Sequence, residues 1–179
     1  CPGGGAPVYC GEAGAGPPIV FVHKFSGDLW SWKKQIQHFS RRYRCVAFNA
    51  RGYPPSDVPK ALSRYSHRHA VNDIAAVMRH LGMRKAHIMG CSMGSRSTLD
   101  FGLAYPRMAL TLTMIGLGSG GDPRNKAQFR RQTEARARLY EEEGLASVLR
   151  GLRKAANRVR LKDKNPRAFA DFGRRFMQH

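Results

Sequence analysis

Apolar residues along this chain fall into two kinds of run. Continuous runs occur at Pro18-Ile19-Val20-Phe21-Val22 and at Cys45-Val46-Ala47-Phe48, and mostly apolar segments at 86–89 and 109–115. The continuous runs predict strands buried on both faces over 18–23 and 44–49, and the other two segments predict a third and a fourth strand. Between them, apolar residues recur at helical spacing. Leu29, Trp32, Ile36 and Phe39 mark a helix over 29–39. Val71, Ile74, Val77, Met78 and Leu81 mark another over 65–81, stopped by Gly82. A third helix is expected over 95–105, ended by Pro106. Residues 7–10 read as a short edge strand, 11–18 as a Gly/Pro turn, and 50–64 as a loop carrying Pro54, Pro55 and Pro59. Alternating strands and helices predict an α/β fold with a doubly wound, mostly parallel sheet over 1–121. No strand is expected after Ile115. Residues 124–142 are rich in Arg, Glu, Ala and Gln, and 145–156 and 166–177 also look helical. Residues 122–179 are therefore read as a separate helical layer.

One stretch adds chemistry to this pattern. The third strand runs into Gly90-Cys91-Ser92-Met93-Gly94 and then into the 95–105 helix. G-x-S-x-G between a strand and a helix is a sharp turn that holds its central Ser in a strained backbone, hydroxyl outward. Gly90 and Gly94 are required because a Cβ there would strike the neighbouring strand and helix.

Composition narrows the class. At 179 residues and 42% hydrophobic, the chain can bury one good core with a small appended part. It has no apolar run long enough to span a membrane. Cys1-Pro2-Gly3-Gly4-Gly5 is not a signal peptide, and without an initiator Met the chain is expected to be processed or a fragment. Cys1, Cys10, Cys45 and Cys91 form no C-x-x-C pair, so a reduced, cytoplasmic protein is expected in preference to a disulfide framework. No Cys or His cluster has metal-ligand spacing.

Charge changes the picture of partners. There are 31 Lys and Arg against 12 Asp and Glu, net +19. Residues 1–121 hold 15 of the basic and 5 of the acidic side chains, so the excess is not a tail. Such a balance favours anionic partners. No aromatic-basic RNA motif accompanies it, which leaves nucleic acid as the lesser reading beside a solvated basic surface.

Three motifs, in order, carry a family likeness. Val20-Phe21-Val22-His23-x-Phe25, Asn49-Ala50-Arg51-Gly52-x-x-x-Ser56-Asp57 and Gly90-x-Ser92-Met93-Gly94 resemble the α/β-hydrolase superfamily. The likeness is nearest to esterases, enol-lactonases and cofactor-free haloperoxidase-like enzymes with a helical cap. It covers roughly residues 8–121, with 122–179 resembling the start of a cap, so a truncated α/β-hydrolase fold is expected. The resemblance implies Ser92 as nucleophile on a small carboxylic ester or related acyl substrate. It implies an oxyanion hole from the backbone N–H groups of Phe25 and Met93. No cofactor or metal is implied. Arg51 and Asp57 would shape the loop beside the site. Leu29, Trp30, Met93 and Leu139 could line an apolar pocket or simply pack a core.

The chain also departs from the family. Lys24 stands where Gly is usual, Asn49 where Asp is usual, Pro54 and Pro55 where Gly and Arg are usual, and Ser95 where a second Gly is frequent. The family's acid and His follow the Ser in sequence. Asp122 is the one candidate acid after the fourth strand. His23 belongs to the oxyanion turn, His67, His69 and His80 to a helix, His87 points across the sheet, and His179 is terminal. None is a fitting base. The first reading is thus a serine hydrolase lacking part of its triad, weak or inactive by itself and completed by a C-terminal portion or a partner chain. The alternative is a non-catalytic protein of this fold whose basic surface binds an anionic partner.

Overall fold

A computed structural model describes residues 1–117 and 123–178. The chain divides into two compact units, Cys1–Leu117 and Gly118–His179.

The first unit is a five-stranded sheet. Its strands are β1 (Cys10–Ala13), β2 (Pro18–Val22), β3 (Arg44–Phe48), β4 (Ala86–Cys91) and β5 (Ala109–Ile115). Their order across the sheet is β1-β3-β2-β4-β5. All pairings are parallel except β1 with β3, where Cys10 faces Phe48 and Ala13 faces Cys45. The helices are α1 (Lys33–Phe39), α2 (His67–His80) and α3 (Met93–Ala104).

Side-chain alternation along the strands sorts the core into two layers. Val20, Val22, Val46, Phe48 and Ile88 pack with Ile74, Val77, Met78 of α2 and Phe101 of α3. Ile19, Phe21, Cys45 and Ala47 point the other way, onto Leu29 and Trp32, with Ile36 and Phe39 of α1 beside them. This two-sided burial is why β2 and β3 read as unbroken apolar runs. Along β5 the burial stops: Leu110, Met114 and Ile115 are exposed, and among the described residues no strand pairs with its outer edge.

Several expectations needed correction. The first strand lies at Cys10–Ala13, overlapping the expected 7–10 edge strand only at Cys10 and running into the segment expected to turn, because its backbone pairs with β3 while offering little apolar burial. The 29–39 helix begins as a 3-10 turn, Leu29–Trp32, capped by Asp28, whose carboxylate accepts from the Ser31 amide at 3.1 Å. Cys1 and Cys10 are joined by a disulfide, Cα atoms 6.0 Å apart, against the reduced reading. Cys45 and Cys91 are free thiols.

The second unit holds α4 (Pro123–Arg153), α5 (Ala156–Lys164) and α6 (Pro166–Phe176). Gly144 breaks α4 with φ 71°, a conformation that suits glycine. Val148, Leu149, Phe172 and Phe176 form its core. The α5 helix was not expected, since its nine residues carry too few apolar positions to show a stripe. No helix among the described residues is long and apolar enough to cross a membrane.

Candidate active site

The turn between β4 and α3 carries the local geometry the pattern requires. Ser92 has φ 53° and ψ −112°, and is the only non-glycine residue with positive φ among the described residues. Such a backbone costs of order 1–3 kcal/mol and persists only where its surroundings enforce it. The enforcing contacts are visible. A Cβ on Gly94 would meet the Val22 carbonyl oxygen and lie 2.7 Å from that of His23, so α3 starts directly against the end of β2. A Cβ on Gly90 would meet the Gly94 carbonyl oxygen and the Thr98 hydroxyl. The Ser92 amide donates to the Ile115 carbonyl at 2.8 Å, while Ser92 itself is exposed.

Ser95 is a residue whose part the sequence did not reveal. Fully buried, its hydroxyl lies 2.8 Å from the carbonyl oxygens of Gly90 and Ile115 and accepts from the Ile115 amide at 2.9 Å. It pins the ends of β4 and β5 to the first turn of α3. A glycine there, as is frequent in the family, could not do this.

Two loops meet beside the turn. Tyr53 donates its hydroxyl to the Phe25 carbonyl at 2.8 Å and reaches the Met93 sulfur at 3.7 Å. The two residues expected to supply oxyanion N–H groups are thereby brought to one side chain. Met93 is the first residue of α3, so its amide has no carbonyl within the helix to bond. Its position also places it at the positive end of the helix dipole.

His23 is buried, and both ring nitrogens are engaged. The Ala50 amide donates to Nε2 at 2.9 Å, so the proton sits on Nδ1, which donates to the Lys24 carbonyl at 2.8 Å. Its ring also meets Tyr53 edge-on at 4.7 Å. His23 therefore props the turn that follows β2 and has no lone pair to offer a hydroxyl. His87 lies on the sheet, its Nδ1 2.8 Å from the Thr111 hydroxyl. His67 and His80 are exposed, and His69 contacts the Ser66 hydroxyl. Among the described residues no histidine is hydrogen-bonded to Ser92. Asp122 and His179 lie outside the described residues.

The unusual Asn49 has a physical explanation. It is buried, its side-chain oxygen accepts from the Leu29 amide at 2.9 Å, and its NH2 donates to the Pro54 carbonyl at 2.8 Å. A carboxylate would turn that second bond into an acceptor facing an acceptor. The loop that follows is tied by Arg51, which holds Asp73 of α2 through two bonds of 2.6 and 2.7 Å, both side chains buried. Hydrogen bonding to Asp73 raises the Arg51 pKa further above its ordinary value. Asp57 is exposed, and its carbonyl accepts from the Gly52 amide. Of the residues considered as pocket lining, Leu29 is core, Trp30 is exposed, and Leu139 packs against the helical unit's own core. No group of three or more His, Cys, Asp or Glu side chains suited to a metal occurs among the described residues.

Comparison with known proteins gives a consistent result. The family model described as alpha/beta hydrolase fold matches residues 17–164. Epoxide hydrolase 1 of Caenorhabditis elegans is 32% identical over 120 residues, which is 64% of this chain and 30% of that protein. The crystal structure of epoxide hydrolase VrEH1 from Vigna radiata is similar with TM-score 0.58 and 31% identity, covering 60% of this chain and 35% of that one. Est816, described as an N-acyl homoserine lactone degrading enzyme, superposes with TM-score 0.71 and 26% identity over 96% of this chain and 62% of its own. The chain thus spans about a third of the curated relative's length.

Proposed function

The chain belongs to the α/β-hydrolase family, and from that membership we propose that it carries the nucleophile of a serine hydrolase acting on a carboxylic ester or lactone. The observation that carries the reading is the strained, exposed Ser92 at the head of α3. The reaction has two steps. The Ser92 Oγ attacks the substrate carbonyl carbon, its proton passes to a base, and the base returns that proton to the alkoxy oxygen as its bond to the carbonyl carbon breaks. Water then attacks the acyl-enzyme and restores the hydroxyl. The Phe25 and Met93 amides are assigned to the oxyanion formed in each step.

Likeness to epoxide hydrolases does not bring their substrate with it. A serine oxygen that opens an epoxide forms a C–O–C ether, and the enzyme has no carbonyl left for water to attack. Turnover would stop after one event. An acyl group on Ser92 remains hydrolysable, so the hydroxyl nucleophile favours acyl substrates. The acid and base are assigned to residues outside the described ones, because His23 is committed to its turn. Without them the turn and oxyanion donors would leave only about 10³–10⁴-fold acceleration over water. Residues 122–179 are read as the start of a cap.

A second reading rests on Lys24, which stands where the family has Gly, and on the absence of a His bonded to Ser92 among the described residues. It makes the protein a non-catalytic member of the fold. One experiment separates the two. The gene product containing this chain is treated with a fluorophosphonate, which loses fluoride as Ser92 Oγ bonds to phosphorus. Labelling at Ser92 that disappears in Ser92→Ala is the expected result. An acetyl ester should leave an acetyl group on the same peptide and be turned over, and an epoxide should not be turned over. Absence of labelling, or labelling that persists in Ser92→Ala, overturns the serine-hydrolase reading.

A further inference from the structure

The sheet has a second end, about 20 Å from Ser92 along β4 at some 3.3 Å per residue. There, where β2, β3, β4 and β5 begin, lies a cavity of about 630 Å³ bordered by Gly16, Arg44, Gly82, Arg84, Lys85 and Arg107 among others. Among the described residues no Asp or Glu borders it.

The cations are not equivalent. Arg44 is already paired: Nε and Nη2 donate to the two Glu12 carboxylate oxygens at 2.8 and 3.0 Å, and Nη1 donates to the Leu81 carbonyl at 2.9 Å. That last bond also answers the negative end of α2. Arg84, Lys85 and Arg107 are exposed, and no ion pair or hydrogen bond holds their side chains among the described residues. Lys85 directly precedes β4 and Arg107 lies two residues before β5, and Ala86 is paired with Ala109. Adjacent strands are about 4.8 Å apart. Three like charges are thereby gathered at neighbouring strand starts, beside a fourth already neutralised.

We propose that this cavity binds a small organic polyphosphate, a compact molecule bearing two or more phosphate groups. Guanidinium forks match phosphate oxygens in pairs, and Lys85 adds a point charge between them. The hollow is open to solvent, with a volume in the range of small-molecule sites. Its lining includes Met83 and Pro18, and among the described residues no aromatic side chain borders it. A single nucleic-acid strand would draw on stacking aromatics, which this lining does not offer. The site is separate from Ser92 and independent of the hydrolase reading.

Calorimetric titration with inorganic tripolyphosphate at low salt tests it. The Arg84→Ser/Arg107→Ser double variant should bind about ten-fold or more weakly, a change of about 1.4 kcal/mol. A charge-matched control, Arg131→Ser/Arg138→Ser on exposed positions of α4, should bind within about two-fold of the parent. In the parent, tripolyphosphate should also protect Lys85 from amine acylation, read by peptide mass spectrometry. Equal weakening by both double variants would show a general charge effect and overturn the proposal. Failure of the parent to bind, or tighter binding of an oligothymidylate lost in the same Arg84/Arg107 variant, would overturn it too. Ser92→Ala should leave the titration unchanged.

Discussion

The sheet unit and the helical unit hold themselves together in different ways. In Cys1–Leu117 two apolar layers sandwich the sheet, and a buried Arg51–Asp73 pair ties the 51–64 loop to α2. In the helical unit four buried apolar residues, Val148, Leu149, Phe172 and Phe176, form the core, and most of α4 is exposed. A strained serine needs the first kind of support. Neighbours packed on both sides leave Ser92 no cheaper backbone, and Ser95 fastens the turn from within. A small one-sided core sets helices in place but does not over-determine a single residue.

The largest test of this contrast is Asp73→Ala. It leaves the Arg51 charge buried without its carboxylate and removes the acceptor for the Gly4 amide. A loss approaching 5 kcal/mol is expected in denaturant unfolding of the sheet unit. If the loss is below about 1 kcal/mol, the loop is not held by this pair. Next comes Phe176→Ala, which empties the centre of the helical core for about 3 kcal/mol. Small cores rarely supply more than about 3–5 kcal/mol, so hydrogen exchange should show α4–α6 amides losing most of their protection. Equal loss in β2–β4 would break the division into two separately held units.

The smallest effect belongs to Glu12→Gln. The hydrogen bonds from Arg44 lower the Glu12 pKa below its ordinary 4.5. A depressed folded pKa means the carboxylate adds stability above the unfolded value, and the gain is lost as pH falls through the folded one. Both side chains are part-exposed, so the difference between parent and variant should stay below about 1 kcal/mol at neutral pH. It should vanish in acid. A difference that grows as pH falls would contradict the assignment.

Much of the sheet unit was legible because burial and period coincide. Continuous apolar runs marked β2 and β3, the stripe of Val71, Ile74, Val77 and Met78 marked α2, and Gly90 and Gly94 marked the turn around Ser92. β1 escaped because pairing with β3, and not its own side chains, makes it a strand. α5 escaped because it has scarcely any apolar face. Asn49 and Ser95 looked like departures from the family. In the fold each makes a set of bonds that the more usual residue cannot make. Their partners, Leu29, Pro54 and Ile115, stand 20, 5 and 20 residues away.

By itself, then, the sequence determined the alternation of buried strands and amphipathic helices and the place of the turn at Ser92, since both are written in residues within a few positions of one another; the strain at Ser92 is enforced by Val22, His23 and Ile115. The tertiary structure alone decided the strand order, the Cys1–Cys10 bond, the locked tautomer of His23, the meeting of Phe25, Tyr53 and Met93, and the gathering of Arg84, Lys85 and Arg107. Apart from the short Cys1–Cys10 link, each of these brings together segments at least 20 residues apart, and no local pattern of apolar and polar residues encodes which segments meet.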